Sequence, residues 1–338
     1  MSCLRTAAVT IDALLLLTRC EAHNTTTMHQ TEIVILDGRT LNPGDLSWAP
    51  FEAYGHVTVY DHTRPGDILE RSSGADVLVV NKVVIDREIM EQLGRLRAIC
   101  VTATGMNNID LDAAANLNIP VFNVAGYGTE SVAQHVFAFI LHFANRIGDH
   151  DRSVQSGVWS RQQDFSYTLG SVYELSGKTL GIYGFGNIGK AVARIAKAFG
   201  MTVVAYTPNP EKHPHVDAFV PLESLGAQSD YVTLHARLSD ENRGIIDKTF
   251  LEHMKRSAIL INTGRGDLVN EEDLLYAIRN GLISGAGLDV LQAEPPAPDH
   301  PFFGESRIVI TPHMAWAAKE ARERLLSASA AHLAHIAG

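Results

Sequence analysis

The stretch TLGIYGFGNIGKAVARIAKAFGM, Thr179–Met201, restricts what this chain can fold into more than any other. An apolar run, Leu180 to Tyr183, reads as a buried strand. Gly184, Gly186 and Gly189 follow in the spacing G-x-G-x-x-G. Apolar residues Ile188, Val192, Ile195, Ala196 and Phe199 then recur at helical spacing, and Gly200 stops the run. Glycines alone make only a turn. Here the first would permit the tight turn, the second would let a pyrophosphate approach the backbone, and the third would let helix and strand pack closely. Free N–H groups at the helix start would face the phosphates. A second strand follows at Thr202–Tyr206. Strand, glycine turn, helix and strand together predict a dinucleotide site.

A chain of 338 residues suggests two domains, each large enough for its own core. The net charge of −10 offers no basic face to nucleic acid or to an anionic membrane, so local cations must hold any anionic substrate. No apolar run approaches the roughly 20 residues a bilayer span needs. Residues 1–28 stand apart. Arg5 and the run Leu14–Leu17 faintly resemble a signal peptide, but Asp12, Arg19 and Glu21 spoil the pattern. We read them as a disordered or mis-started extension. Cys3 and Cys20 lie there, and Cys100 lies in the apolar run Leu96–Val101. No C-x-x-C or metal-ligand cluster is present, which predicts no disulfide framework, no metal and a reducing, cytoplasmic setting.

From Glu32 onward, short apolar strands alternate with helical stretches. Ile33–Leu36, Val57–Tyr60, Val77–Val80, Ala98–Thr102 and Ile119–Asn123 read as strands, with a helical segment at Asp86–Leu93. After the glycine motif come Thr202–Tyr206, Tyr231–Leu234, Ala258–Asn262, Ser284–Leu288 and Ile308–Ile310. Such alternation predicts an α/β fold with mostly parallel sheets. Thr129–Ile147 is a helix with almost no polar face, so it should be buried on most sides and cross between domains or meet a second subunit. His135 and His142 on it read as packed core histidines. A polar connection, Gly148–Leu175, leads into the motif, and a helical, alanine-rich tail runs from His313. The expected division is 29–125 plus 313–338 for one domain and 126–312 for the other. Asn270 should cap the helix that Gly281 ends.

Three further segments could carry chemistry. Arg265 lies in a glycine-flanked turn after a buried strand, in INTGRGDLV. Asp289 ends a strand and Glu294 follows in a proline-stiffened loop, in GLDVLQAEPP. His313 follows a strand and a proline, in ITPHMAW. Each residue alone is compatible with a surface or structural role. Together they sit just past parallel strands, where ligands of open sheets bind. Arginine can grip a carboxylate with two hydrogen bonds. Histidine can exchange a proton near neutral pH, and a neighbouring carboxylate favours its charged form.

With those segments and ATGMNNID (Ala103–Asp110), GYGTESVAQH (Gly126–His135) and TPHMAWAAKEARERL (Thr311–Leu325), the chain resembles the D-isomer-specific 2-hydroxyacid dehydrogenases from about Glu32 to Leu333. ILDGRTLNPGDLSW (Ile35–Trp48) and the HMAWA ending look most similar to the glycerate dehydrogenases, or hydroxypyruvate reductases, of that family. The resemblance implies a Rossmann NAD-binding domain inserted into a flavodoxin-like substrate domain, and a homodimer through helices like Thr129–Ile147. It implies reduction of a small 2-keto acid, hydroxypyruvate or glyoxylate, with NAD(H). Arg265 would bind the substrate carboxylate, Glu294 would pair with the catalytic histidine, and His313 would be that histidine. Thr104 and Gly105 would hold the substrate, Thr104 also touching the cofactor. Gly184, Gly186, Asn187, Ile188, Gly189, Thr207, Ala236, Thr263, Gly264, Arg265, Asp289, His313 and Ala315 would line the cofactor.

Two positions depart from the family pattern. Thr207 stands where an acidic residue usually holds the adenosine ribose, so a 2′-phosphate is no longer repelled. Yet Pro208, Asn209 and Pro210 bring no arginine, and Lys212 is the nearest cation, which leaves NADP open beside NAD. Arg237 stands where the family commonly has proline. The alternative reading is a non-catalytic, dinucleotide-sensing, corepressor-like protein on the same scaffold.

Overall fold

The structure, a computed structural model, describes residues 30–212 and 216–336. The expectations for residues 1–28, Cys3 and Cys20 included, lie outside the described residues. The chain forms two sheets in which every strand pair is parallel. The first contains β1 (Glu32–Ile35), β2 (His56–Val59), β3 (Val77–Val80), β4 (Ala98–Val101) and β5 (Val121–Asn123), ordered β2-β1-β3-β4-β5. That is the flavodoxin-like order. The second contains β6 (Thr179–Tyr183), β7 (Thr202–Tyr206), β8 (Ala218–Phe219), β9 (Tyr231–Leu234), β10 (Ile259–Asn262), β11 (Gly285–Leu288) and β12 (Ile308–Ile310). Its order is β12-β11-β10-β9-β6-β7-β8, a Rossmann sheet with one extra edge strand. The α/β, doubly wound expectation therefore holds for both sheets.

The strand pattern explains the layers. In β1, Ile33 and Ile35 face one core and Val34 and Leu36 the other; in β3 and β4 the same alternation repeats. Both faces are covered, so the strands are apolar throughout rather than half polar. The helix Lys319–Ala331 returns to the first sheet, burying Leu325, Leu326 and Ala330 against Ile33 and Val77. Arg322 ties it there with paired 2.7 Å contacts to Asp45 and a bond to the Leu41 carbonyl. Cys100 is buried in the same layer, and burial pushes its thiol up to about 12, which makes it a packing residue.

The helix Thr129–Asn145 lies on the second sheet, with Ala133, Val136, Phe137, Phe139, Ile140 and Ala144 in its core. Gly285 and Gly287 of β11 make room for it: a Cβ at Gly287 would meet the Phe139 ring at 2.7 Å, and one at Gly285 the Phe143 ring at 2.9 Å. The helix is thus buried mostly within its own chain, and only Glu130, Gln134 and Ala138 are exposed. It stops at Asn145, because Arg146 turns left-handed at φ 51°. A second helix, Ile147–Gln155, occupies part of the segment read as a polar connection. It buries no residue, so no apolar stripe marks it in the sequence; Asp149 holds it through ion pairs with Arg146 and Arg152. The short helix Leu111–Asn116 was also not legible. It buries only Ala113 and Ala114, and Asp110 caps it by accepting from the Ala113 amide. Asn270 caps its helix as expected, accepting from the Asp273 amide at 3.1 Å.

Candidate active site

The glycine turn lies between β6 and the helix Asn187–Ala198, at the point where the strand order reverses from β6 to β9. Gly184 has φ 93°, and a Cβ there would meet the Ala236 backbone nitrogen at 2.4 Å. Gly189 abuts the Gly184 carbonyl, 2.5 Å from where its Cβ would be. Both are glycines for lack of room. Gly186 differs: among the described residues nothing lies within 4 Å of an added Cβ. It caps the helix without a side-chain bond, and it and Asn187 are exposed, so the first helical amides face open space. Thr263, 9% exposed, has a hydroxyl with no partner among the described residues. A turn open at its middle glycine, with an unpartnered hydroxyl just past β10 in the same sheet, fits a nicotinamide dinucleotide. Thr207 closes β7 half-buried, and Ala236 follows β9 beside Gly184.

Arg265 follows β10. Asn262, almost fully buried, locks that turn by accepting from the Gly264 amide at 3.0 Å and donating to the Arg265 carbonyl at 2.7 Å. The exposed guanidinium reaches the first sheet, for a Cβ at Gly105 would lie 3.1 Å from its Nη2. Gly105 follows Thr104, which donates to the Val124 carbonyl at 3.0 Å; the Asn123 amide donates to the Thr104 carbonyl at 2.6 Å. Arg265 and the Thr104–Gly105 turn therefore face each other across the gap between the sheets.

His313 sits after β12, with Nδ1 2.6 Å from Glu294 Oε2. A carboxylate only accepts, so Nδ1 carries the proton of that bond and Nε2 is left for another partner. Glu294 Oε1 accepts from the Leu291 amide at 3.1 Å, which fixes the carboxylate plane. Burial works to raise the Glu294 carboxyl, but His313, the Leu291 amide and Lys82 outweigh it and hold it below the ordinary value. Asp289 is turned inward: it is 1% exposed and its oxygens accept from Thr311, Met314 and Ala315.

Comparison with known proteins meets this geometry. Residues 137–315 match the family model of the D-isomer specific 2-hydroxyacid dehydrogenase NAD binding domain. A hydroxypyruvate reductase of Blautia hydrogenotrophica is 40% identical, over 87% of this chain and 93% of the relative. The chain belongs to the D-isomer specific 2-hydroxyacid dehydrogenases. A glycerate dehydrogenase of Methylorubrum extorquens is 37% identical, over 87% of this chain and 92% of its own. A solved protein of Thermus thermophilus superposes with a TM-score of 0.78 at 34% identity, covering 90% of this chain and 96% of that one. This chain is accordingly an oxidoreductase of the CH-OH group that uses a nicotinamide cofactor.

Within this dehydrogenase the structure adds residues that the sequence reading missed. Lys82 follows β3 and lines, with Glu294, His313, Phe302, Phe303 and Thr311, a cavity of about 970 Å³. Buried Asp37 fixes its turn, accepting from the amides of Asn81, Lys82 and Val83. The signal was present, since Lys82 stands just past an apolar strand as Arg265 does. Tyr127 lies near Arg265; burial pushes its phenol up to about 12 although the arginine charge works against that. His135 is more than core packing, since its Nε2 lies 3.0 Å from Thr311 Oγ1. Its sequence signal was one helical residue among apolar ones, which does not reveal a partner 176 positions away. Arg237 is exposed, and its carbonyl accepts from Asn242.

Proposed function

We propose that this dehydrogenase reduces hydroxypyruvate or glyoxylate, to D-glycerate or glycolate, with His313 as proton donor. The observation that carries the reading is the 2.6 Å His313–Glu294 contact on the same strand-end edge as Arg265. Arg265 binds the substrate carboxylate through its fork, and backbone N–H groups of the Thr104–Gly105 turn orient the ketone. Gly184 to Gly189 hold the pyrophosphate, with Thr207, Ala236, Thr263 and Gly264 along the rest of the cofactor, while buried Asp289 and Ala315 act from behind the His313 turn. The nicotinamide supplies the hydride. His313 Nε2 delivers a proton to the carbonyl oxygen as negative charge grows there. Glu294 holds the imidazolium in one orientation and favours its charge. The relatives' names, hydroxypyruvate reductase and glycerate dehydrogenase, favour this substrate class over a non-catalytic sensor. Loss of NADH or NADPH absorbance with a panel of 2-keto acids tests it. No turnover with any of them would overturn it.

NAD(H) is the cofactor we favour, because no arginine follows β7 near Thr207 to bind a 2′-phosphate. The substrate domain comprises 29–125 plus 313–338 and the dinucleotide domain 126–312, closing on each other about the two places where the chain passes between them, near residues 125 and 313. A homodimer is the assembly we favour, in a cytoplasmic, reducing setting. Its support is less the crossing helix, which is mostly covered, than exposed Ile147, Trp159, Phe165 (90% exposed) and Tyr173 in the connection beside it. Light scattering that gave a monomer mass at micromolar concentration would exclude the dimer.

A further inference from the structure

A relay of side chains connects the helix Thr129–Asn145 to the turn that carries His313. His135 Nε2 lies 3.0 Å from Thr311 Oγ1, and Thr311 Oγ1 lies 2.5 Å from Asp289 Oδ1. The same carboxylate accepts from the amides of Met314 and Ala315, both at 2.8 Å. The Asp289 carbonyl accepts from the His313 amide, also at 2.8 Å. His313 is thus tied to one buried aspartate at itself, two residues before and one and two residues after. A hydroxyl has a single proton and an ionised carboxylate can only accept. Thr311 therefore donates to Asp289 and accepts from His135, which must carry its proton on Nε2. The Phe139 ring, edge-on at 4.8 Å, keeps the His135 ring in that orientation.

The turn needs such support. His313 has φ 50°, a left-handed backbone that a residue with a side chain holds only where its surroundings dictate it. We infer that His135, acting through Thr311 and Asp289, is a positioning residue for His313 and holds the turn that aims its imidazole at Glu294. The inference rests on His313 being the proton donor. Burial, the larger influence, keeps His135 below its ordinary pKa although Asp289 pulls the other way. Among the described residues His135 forms an ion-pair contact with Asp289, at 3.7 Å. His313 faces Glu294, with Lys82, Asp289 and Glu305 around the same cavity.

His135→Leu, His135→Gln and Thr311→Val test the relay. His135→Leu should lower kcat roughly three- to tenfold, the worth of one lost hydrogen bond expressed at the proton donor. It should also shift the pH–rate profile and leave cofactor KM near native. His135→Gln places an amide N–H where Nε2–H was and should restore most of the activity. Thr311→Val should reproduce His135→Leu, and the two together should cost no more than either, as members of one chain do. The His313 ring titration, followed by NMR and assigned with His313→Ala, should move in His135→Leu and Thr311→Val but not in His135→Gln. A ring titration and kcat unchanged in both Leu and Val variants would overturn the inference. So would His135→Gln behaving no better than His135→Leu. If His135→Leu fails to fold, Thr311→Val and His135→Gln decide alone. If the native protein reduces no 2-keto acid, the functional reading fails, while the ring titration still judges the relay.

Discussion

The two parts of the proposed site are built in opposite ways. At the glycine turn, function comes from what is missing: Gly184 and Gly189 have no room for a Cβ, and Gly186 leaves open space. At the other end, function comes from side chains that are held in place. Glu294 is held by the Leu291 amide and His313 by Asp289. A site made of absent atoms needs only local backbone geometry. A site made of aimed side chains needs support drawn from distant parts of the chain.

The largest effect should separate the two ends cleanly. His313→Ala should lower kcat by roughly 10²–10⁴, the usual range for a lost general acid. Cofactor affinity, measured by fluorescence titration with NADH, should stay close to native, since the glycine turn is untouched. A parallel collapse of affinity and turnover would mean that the ends are not separable.

That contrast also explains what the sequence revealed. The glycine turn was legible because strand, turn and helix are contiguous from Thr179 to Ala198, and every requirement falls within one window. Both sheets were legible because strands buried on both faces are apolar runs. Arg265, Glu294 and His313 span almost fifty residues; their places just past parallel strands suggested a set, and the resemblance to a known family gave each its role. Lys82 carried a signal in its place just past an apolar strand, whereas His135 and Asp37 were not legible as parts of the site. Their partners lie across sheets, and a polar residue in a turn or a histidine in an apolar helix carries no local mark of a remote contact. Helix Ile147–Gln155 was missed for a different reason: it buries nothing, and periodicity is the imprint of burial.

A middle-sized effect should sharpen the distinction inside the glycine turn itself. Gly184→Ala forces a Cβ toward the Ala236 nitrogen from a left-handed backbone, so it should destabilise the fold by about 1–3 kcal/mol and weaken the cofactor about tenfold. Gly186→Ala meets no atom among the described residues, so thermal stability should stay native. Its cofactor affinity should still fall about tenfold, because the methyl group occupies the approach of the pyrophosphate. Calorimetry with and without NADH distinguishes the two. Equal melting temperatures in both variants would remove the claim that Gly184 is a glycine for packing and Gly186 for ligand. At the facing end, Arg265→Lys should raise substrate KM about tenfold with cofactor KM unchanged, because one ammonium cannot reproduce the fork.

The smallest expected effect concerns pH, and it tests how far the side-chain end depends on its support. With His313 as the proposed proton donor, reduction should slow as pH rises, while oxidation of the hydroxy acid, which would use the neutral ring, should quicken over the same range. Glu294 stands below its ordinary value because its bonds to His313, the Leu291 amide and the Lys82 charge outweigh its burial. The sign follows from that depression: the carboxylate stays ionised through neutral pH, and its stabilising pairing is lost only as pH falls through the lowered value. Glu294→Gln keeps the shape and the Leu291 contact but removes the charge that favours imidazolium. Its reduction profile should therefore move toward acid, and only modestly, because about a third of each side chain is exposed to solvent screening. The oxidation profile should move the same way, so the enzyme gains relative oxidation rate near neutrality while losing reduction rate. NADH affinity and melting temperature should remain near native. A profile that stayed in place would show that Glu294 orients the ring without setting its charge, and the side-chain end of the cleft would then work by geometry alone, as the glycine end does.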